Sequence, residues 1–261
     1  MISNIRSLEF PIWDISSVAY SEVYKHININ KYKVVIEGHG SDEQLGGYDY
    51  LMYSGFLTYF YKLNIKSALQ VLNMLNNLIP KSPLLKFFFI LENTVKNIFK
   101  KFISHNEPFF FNGKLKAAFN YKILPIVLRA FDRLTMKYSI ENRCPFLDYR
   151  VVEFLRKLPI RYKINSLGSK AILREILKKY GNNFIYENSK KIGFGSDLRE
   201  FFKINKQEIL KTIHNSDLKE SKKKNYTDIL KKENISDRNY IFFSKTLQII
   251  IFDKLFNIKN S

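Results

Sequence analysis

VVIEGHGSDEQLGGY (residues 34–48) carries the strongest structural signal in this chain of 261 residues. It overlaps KYKVVIEG (31–38), a short β-branched run typical of a buried strand in a parallel sheet. A Gly-x-Gly turn follows, and a helix is expected to open near Ser41 or Asp42. A strand, a tight turn and a helix start place several backbone N–H groups around one concavity, which favours anion binding.

The side chains of this turn suit a phosphate bound with a metal. Gly38 and Gly40 let the backbone approach a phosphate closely. Asp42 and Glu43 could hold Mg²⁺, which prefers carboxylates together with phosphate oxygens. A plain strand-to-helix turn would use the same residues, so the turn alone leaves both interpretations open.

The remainder of the chain has mainly helical spacing. We expect helices over residues 16–26, 66–78, 84–103, 124–138 and 236–256. Asp148 can cap a helix that ends before Pro159, and Gly168 or Ser169 can start another that ends near Gly181. One clear strand cannot make a sheet alone, so its partner strands are expected upstream or on another chain.

Three further segments contain charged residues with two interpretations each. FDRLTMKYSIENRCPFLDYRVVEF (131–154) could be a salt-bridge network with a helix cap, or part of a site. In GSKAILREIL (168–177), Lys170 and Arg174 share a helix face, which could contact a phosphate or only solvent. SKKIGFGSDLREFF (189–202) could be a basic surface turn, or a loop that fixes a lysine near a transferring phosphoryl group.

Taken in order, the four segments resemble the asparagine synthetase (glutamine-hydrolysing) family. The matching residues are 38–48, 139–148, 170–174 and 189–194, and the resemblance spans residues 10 to about 205. It implies an α-rich α/β architecture: the C-terminal portion of a Rossmann-like adenine nucleotide α-hydrolase fold, with only a remnant of the parallel sheet. It divides the chain into an incomplete synthetase domain (1–205) and a helical C-terminal extension (206–261).

The same resemblance implies a reaction and a set of roles. In the family, ATP adenylates a carboxylate, pyrophosphate leaves, and an amine or ammonia attacks the acyl-adenylate. Carried over by position, Asp42 is a Mg²⁺ ligand, and Lys191 stabilises charge that develops on the α-phosphate. The ATP and pyrophosphate site is implied to comprise Gly38, His39, Gly40, Ser41, Glu43, Lys170 and Arg174.

The chain departs from the family pattern in three places. The family's other nucleotide loop, Ser-Gly-Gly-x-Asp-Ser, and its glutaminase domain are absent, so a second polypeptide is expected to supply them. His39 stands where asparagine-making members usually have Glu, and Ser189 replaces the usual Arg. Family members that form a β-lactam also have a non-acidic residue at that first position, a Tyr that works with a Glu. By that analogy, His39 is a candidate general base, with Glu141 as its partner.

Composition limits the remaining possibilities. The formal net charge is +19, which attracts anions whatever the fold, but no nucleic-acid motif accompanies it. The apolar runs are too short or too interrupted to span a bilayer, and the lone Cys144 permits no intrachain disulfide, so we expect a cytoplasmic protein. The expected function is asparagine synthetase-like amide formation from ATP and a carboxylate. Two alternatives stay open: another carboxylate, such as a sugar acid or peptide, or a non-catalytic scaffold with a basic binding surface.

Overall fold

The computed structural model describes residues 1–11, 16–75, 110–181, 197–231 and 235–257. These residues are mostly helical and form two compact units. The first unit comprises residues 1–35, 129–142 and 192–261, and the second comprises residues 36–128 and 143–191.

The N-terminal half of the chain contains helices with one short strand. In chain order the elements are α1 (Ile2–Leu8), α2 (Ser16–Ile29), β1 (Val34–Ile36), α3 (Ser41–Leu45), α4 (Asp49–Tyr61), α5 (Ile65–Met74), α6 (Phe111–Ala117), a π-helical turn (Ala118–Lys122) and α7 (Leu124–Met136). The predicted helix over 84–103 lies outside the described residues.

The described residues of the C-terminal half add three short strands and more helices. They are β2 (Glu141–Arg143), a 3₁₀ turn (Pro145–Leu147), α8 (Tyr149–Lys157), α9 (Ile160–Lys163), β3 (Ile164–Asn165), β4 (Gly168–Ser169), α10 (Ala171–Lys179), α11 (Leu198–Ile204), α12 (Lys206–His214), α13 (Glu220–Lys231) and α14 (Asp237–Phe256). Side-chain caps fix several starts, since Asp148 accepts from Arg150 N–H at 2.9 Å and Ser236 from Asn239 N–H.

The first unit is organised around α14. This 20-residue helix packs against α1, α11 and α12. Its core contains Phe243, Leu247 and Ile250 together with Ile5 and Leu8 of α1. The expected C-terminal helix over 236–256 is thus confirmed, and the described part of the predicted extension is helical, although its boundary at residue 205 stays a prediction.

The second unit is centred on the α4–α5 hairpin and α6. Leu51, Phe56 and Leu57 of α4 pack with Val71 of α5 and Phe111 of α6 in one apolar cluster. Gly55 is needed there because a Cβ at this position would overlap the Ile164 side chain. This core supports α3 and the glycine turn that precedes it.

The strands differ from the prediction in two respects. First, partner strands for β1 were expected upstream or on another chain, but its partner among the described residues is β2, downstream in the same chain. The two strands form a parallel pair in which Glu141 N–H donates to Lys33 O at 2.8 Å and Glu37 N–H to Arg143 O at 2.9 Å. β1 was expected to be buried, but Val34 is 40% exposed and Ile36 75% exposed. That expectation was wrong for this chain because only one face of β1 is packed: Val35 contacts the apolar core of the first unit, whereas Val34 and Ile36 lie on the opposite face.

A second small error concerns the start of α10. Gly168 and Ser169 pair antiparallel with Asn165 and Ile164 as a short hairpin, so they are strand residues. The helix begins only at Ala171, since Lys170 adopts a left-handed conformation with φ of 56°.

Candidate nucleotide site

The glycine turn joins β1 to α3 as the sequence predicts. Gly40 has φ of 90°, a conformation that favours glycine, and a Cβ there would overlap the Leu147 side chain. At Gly38 a Cβ would meet nothing within 4 Å. The turn is therefore closed on the Gly40 side by the Pro145–Leu147 turn, and open at Gly38, where an anion can approach.

A second glycine pair closes the other end of α3. Gly46 has φ of 73°, and a Cβ there would lie 2.9 Å from the Phe111 ring. A Cβ at Gly47 would overlap the Asp42 carboxylate and lie 2.8 Å from Lys170 Cε. Gly47 is therefore the residue that leaves room for these two side chains to meet.

Lys170 binds α3, the helix that follows the turn, through three contacts. Its Nζ lies 3.1 Å from Asp42 Oδ2 and donates to Ser41 Oγ at 3.3 Å. Its backbone N–H donates to Leu45 O at 3.2 Å. These contacts hold a non-glycine residue in the left-handed region, which ordinarily costs on the order of 1–3 kcal/mol. The structure thus brings together two residues predicted from separate motifs.

Arg174, the other cation of that motif, makes a local contact. Its Nε donates to Ser169 O at 3.0 Å, and burial lowers the pKa of its guanidinium. The sequence spacing predicted that Lys170 and Arg174 share one face of a helix. Lys170 lies just before the first residue of α10, so the two side chains do not form a regular i, i+4 pair.

His39 is paired with a carboxylate that sequence reasoning did not select. Its Nε2 lies 2.8 Å from Glu37 Oε2, and both side chains are 18% exposed. The available signal was the Glu-x-His spacing at the strand end, where alternate side chains share a side. Glu141, the residue selected for this role, is exposed at the start of β2.

Two polar residues that were not predicted from the sequence, Gln44 and Tyr48, stabilise the turn and the start of α3 through hydrogen bonds. The buried Gln44 donates through Nε2 to Gly40 O at 3.1 Å and to Phe146 O at 2.8 Å, which ties the first motif to the second. Tyr48 donates through its hydroxyl to Glu43 Oε1 at 2.6 Å. Burial and this hydrogen bond raise the pKa of Tyr48 well above its ordinary range, so the phenol remains a donor at neutral pH. Glu43, only 2% exposed, is thereby held inside the protein.

Other candidates have plainly structural surroundings or lie outside the described residues. Asp148 caps α8, and the hydrogen bonds it accepts from Arg150 lower its pKa to about 2. Burial, with a contribution from Glu37, raises the pKa of the Cys144 thiol, which makes it a poor nucleophile at neutral pH. Lys191 lies outside the described residues, as do Ser189 and Lys190.

Metal and membrane features were sought in the described part of the chain. No group of three or more His, Cys, Asp or Glu residues there is placed to hold a metal ion. Mg²⁺ bound to a nucleotide needs only one or two carboxylates, since phosphates and water supply the other oxygens. Within the same ranges, no helix combines the length and apolarity that crossing a bilayer requires.

Comparison with models of protein families shows which family the chain belongs to. The family model described as asparagine synthase matches residues 2–241. The chain belongs to the asparagine synthase family. The asparagine synthase family has an adenine nucleotide α-hydrolase fold and uses ATP. The match extends beyond residue 205, where the quoted motifs stop.

Two curated relatives of this asparagine synthase family member are amidases by name. The amidase chry2 of Gibberella zeae is 24% identical over 247 residues, which cover 72% of this chain and 36% of the relative. The amidase chyE of Penicillium rubens is 37% identical over 70 residues, which cover 24% of this chain and 10% of the relative. The chain thus spans about a third or less of the length of these relatives. No solved structure matches it significantly.

Proposed function

We propose that this chain is the C-terminal part of the synthetase domain of an amide-forming enzyme that works through an acyl-adenylate. The observation that carries the proposal is the Lys170–Asp42 pair at the open glycine turn of an asparagine synthase family member, with Nζ 3.1 Å from Oδ2. A cation and a carboxylate are held together at the place where several backbone N–H groups favour an anion.

The proposed reaction has two steps. An oxygen of the substrate carboxylate attacks the α-phosphorus of ATP, and the bond to pyrophosphate breaks. The nitrogen of an amine then attacks the acyl carbon, loses a proton to a base, and AMP leaves. The turn at Gly38–Gly40 would hold the pyrophosphate portion, and Lys170, already near the turn, would neutralise part of its charge.

Asp42 is the residue we propose to hold Mg²⁺. Its side chain is 27% exposed, so it can reach both solvent and a bound nucleotide. When bound, Mg²⁺ would supply charge neutralisation for the phosphates. Glu43 is less suited, since its carboxylate is buried and accepts from Tyr48.

His39 is the proposed base, and Glu37 orients it. An imidazole titrates near neutral pH and can accept the proton that the attacking amine loses. The Glu37 carboxylate, whose Oε2 lies 2.8 Å from Nε2, would stabilise by its charge the imidazolium that forms. Since asparagine-making members usually have Glu at this position, His39 favours a carboxylate other than aspartate, such as a sugar acid or a peptide. Two relatives named as amidases agree with chemistry at an amide bond.

The proposal includes a partner polypeptide that carries the glutaminase domain and the Ser-Gly-Gly-x-Asp-Ser loop. Its support is the exposure of β1, where Val34 and Ile36 are 40% and 75% exposed. Apolar strand residues are ordinarily covered by neighbouring strands or helices. We place this assembly in the cytoplasm, on the lone Cys144.

ATP–pyrophosphate exchange tests the proposal. The chain should be assayed alone and after co-expression with a polypeptide of that composition, with a panel of carboxylates that includes aspartate. We expect exchange only in the co-expressed sample, and a raised Mg²⁺ requirement in Asp42→Asn. Robust exchange by the chain alone would show that its own residues complete the site, and an unchanged Mg²⁺ requirement would remove Asp42 from the metal site.

The second candidate is a scaffold with a basic surface. A net charge of +19 supports it, since such a charge attracts acidic partners without catalysis. The same assay separates the two functions: a soluble, folded assembly that never exchanges pyrophosphate with any carboxylate would favour the scaffold.

A further inference from the structure

A cavity of ≈ 290 Å³ lies in the second unit, among α3, α6, α8 and α9. Its charged lining residues are Glu43, Lys116, Arg156 and Lys163. Gly38, Asp42 and Lys170, which mark the nucleotide turn, are not among the residues that line it. Its volume is at the lower end of the range for small-molecule sites, which run from about 300 to 1,000 Å³.

Lys163 is the unusual residue of this cavity. It is only 3% exposed, and within the described parts of the chain no ion-pair or hydrogen-bond partner faces its Nζ. Burial alone lowers its pKa to about 8, so it is still mostly charged at neutral pH. An unpaired ammonium in such surroundings is costly, and an anion in the cavity would relieve that cost.

Gln44, which also lines the cavity, contains an unsatisfied polar atom, but that atom is sealed from solvent. The residue is 4% exposed, and its Nε2 is already used by two carbonyl oxygens. Its Oε1 is buried and has no hydrogen-bond partner among the described residues. Buried polar atoms of this kind are rare in native proteins. Oε1 is an acceptor, however, so an anion without an O–H group cannot satisfy it, and the case for an anion rests on the cations of the lining.

The balance of charge decides what kind of ligand fits. Three cationic side chains face one carboxylate, and Oε1 of that carboxylate, Glu43, already accepts from Tyr48. Arg156 donates to Asn120 Oδ1 at 3.2 Å and lies over the Phe119 ring, but forms no ion pair with any described residue. The lining is therefore cationic, with acceptors at Glu43 and Gln44.

We propose that this cavity binds a small organic or inorganic anion, a carboxylate or a phosphate, with Lys163 as its principal ion-pair partner. Arg156 and Lys116, which are exposed, would complete the cationic side. None of Gly38, Asp42 and Lys170 lines this site, so it is distinct from the open side of the glycine turn, although Glu43 and Gln44 of α3 contribute to its lining. The proposal does not depend on the proposed amide-forming activity.

Calorimetric titration of the full chain with inorganic phosphate and with succinate tests this proposal. At least one probe should bind saturably, and which one binds distinguishes the two chemical classes. Lys163→Met should weaken that binding roughly tenfold or more, the effect of losing a hydrogen bond to a charged group. The matched control is Lys157→Met, an exposed lysine next to Arg156 that does not line the cavity, and it should leave binding unchanged.

Proton linkage provides a readout that diffuse charge attraction would not give. An anion beside Lys163 raises the pKa of that lysine, so binding near pH 8 should take up protons. The binding enthalpy should then depend on the ionisation enthalpy of the buffer, and Lys163→Met should abolish this dependence.

Several results would overturn the proposal. One is a lack of saturable binding of either probe at millimolar concentration, and another is equal weakening by Lys163→Met and Lys157→Met. A third is loss of binding in Lys170→Met, which would place the anion at the glycine turn. Circular dichroism checks that each variant is folded. If Lys163→Met does not fold, Arg156→Gln at an exposed lining position takes its place, and unchanged binding in that variant counts against the site.

Discussion

Lys170 and Lys163 lie in the same compact unit, but their ammonium groups have opposite surroundings. Lys170 is 29% exposed and paired with Asp42, whereas Lys163 is 3% exposed and has no partner among the described residues. Beside the glycine turn, the charges of Lys170 and Asp42 balance each other before a ligand arrives. In the cavity, the charge of Lys163 is not balanced by a described residue, so a bound anion would change its energy more.

This difference teaches that a lysine's role follows from its surroundings rather than from its motif. Lys170 belongs to a recognisable family segment, and its charge is already balanced inside the protein. Lys163 lies outside the four sequence segments that resemble the family. The substitutions below test whether changes at the turn and at the cavity affect catalysis and stability independently.

The largest effect is expected from Lys191, which by the family resemblance acts with the turn. In the co-expressed assembly, Lys191→Ala should lower kcat by roughly a hundredfold or more, because a charge used mainly in the transition state is lost. Steady-state amide formation measures it. Lys190→Ala is the control and should have a mild effect, while equal mild effects of both variants would show that the loop is misaligned.

The His39 prediction separates the two chemical steps at the turn. His39→Gln should keep pyrophosphate exchange and slow amide formation by on the order of a hundredfold, because the base acts only when the amine attacks. Glu37→Gln should slow the same step less, since Glu37 acts through the ring it holds. Loss of exchange together with amide formation in His39→Gln would exclude the role of base.

Alanine substitutions at Gly47, beyond the C-terminal end of α3, and at Gly38, in the turn before α3, should differ in their effect on stability. Gly47→Ala should lower the free energy of unfolding by roughly 1–3 kcal/mol, because its methyl group would overlap the Asp42 carboxylate. Gly38→Ala should change it little, since space at that position is open. Urea unfolding of both variants measures the difference, and equal stabilities would mean that Asp42 and Lys170 do not need this close approach.

Lys163→Met should stabilise the chain in a pH-dependent way. The pKa of this lysine is about 8 in the folded protein, against about 10.4 in an unfolded chain, so the unfolded state holds more protons between these values. The free energy of unfolding of the wild type therefore rises, through this lysine, as the pH increases from about 8 to about 10.4. At pH 7 the variant should be more stable by roughly 1–3 kcal/mol.

Urea unfolding at pH 7 and pH 9.5 provides the measurement for Lys163→Met. The difference between the wild type and the variant should shrink at the higher pH, where the folded wild type has already lost the charge. Lys157→Met serves as the exposed control and should show no such trend. A variant less stable than the wild type at pH 7 would mean that the lysine has a partner after all.

Lys170→Met should have the smallest effect on stability. Ion pairs that remain partly exposed contribute about 1 kcal/mol or less, and salt screens them. We expect a loss of that size in unfolding experiments at low salt and a smaller one in 1 M NaCl. A loss larger than the change caused by Lys163→Met would reverse the energetic contrast between the turn and the cavity.

The sequence by itself determined the family and the glycine turn between β1 and α3. Glycine spacing, a β-branched run and ordered motifs are local features, and the turn at Gly38–Gly40, the start of α3 at Ser41 and the cap at Asp148 all follow from them. Helices with clear apolar spacing, such as α7 and α14, were likewise predictable, because periodicity is written along the chain.

Only the tertiary structure decided which side chains meet. It paired Lys170 with Asp42 and Glu37 with His39, and it made a strand of the polar residues Glu141–Arg143. It also left Lys163 buried with no partner among the residues that the structure describes. None of these is a local property: a strand with no β-branched residue exists because β1 offers it hydrogen bonds, and a lysine's charge is costly only where packing removes water.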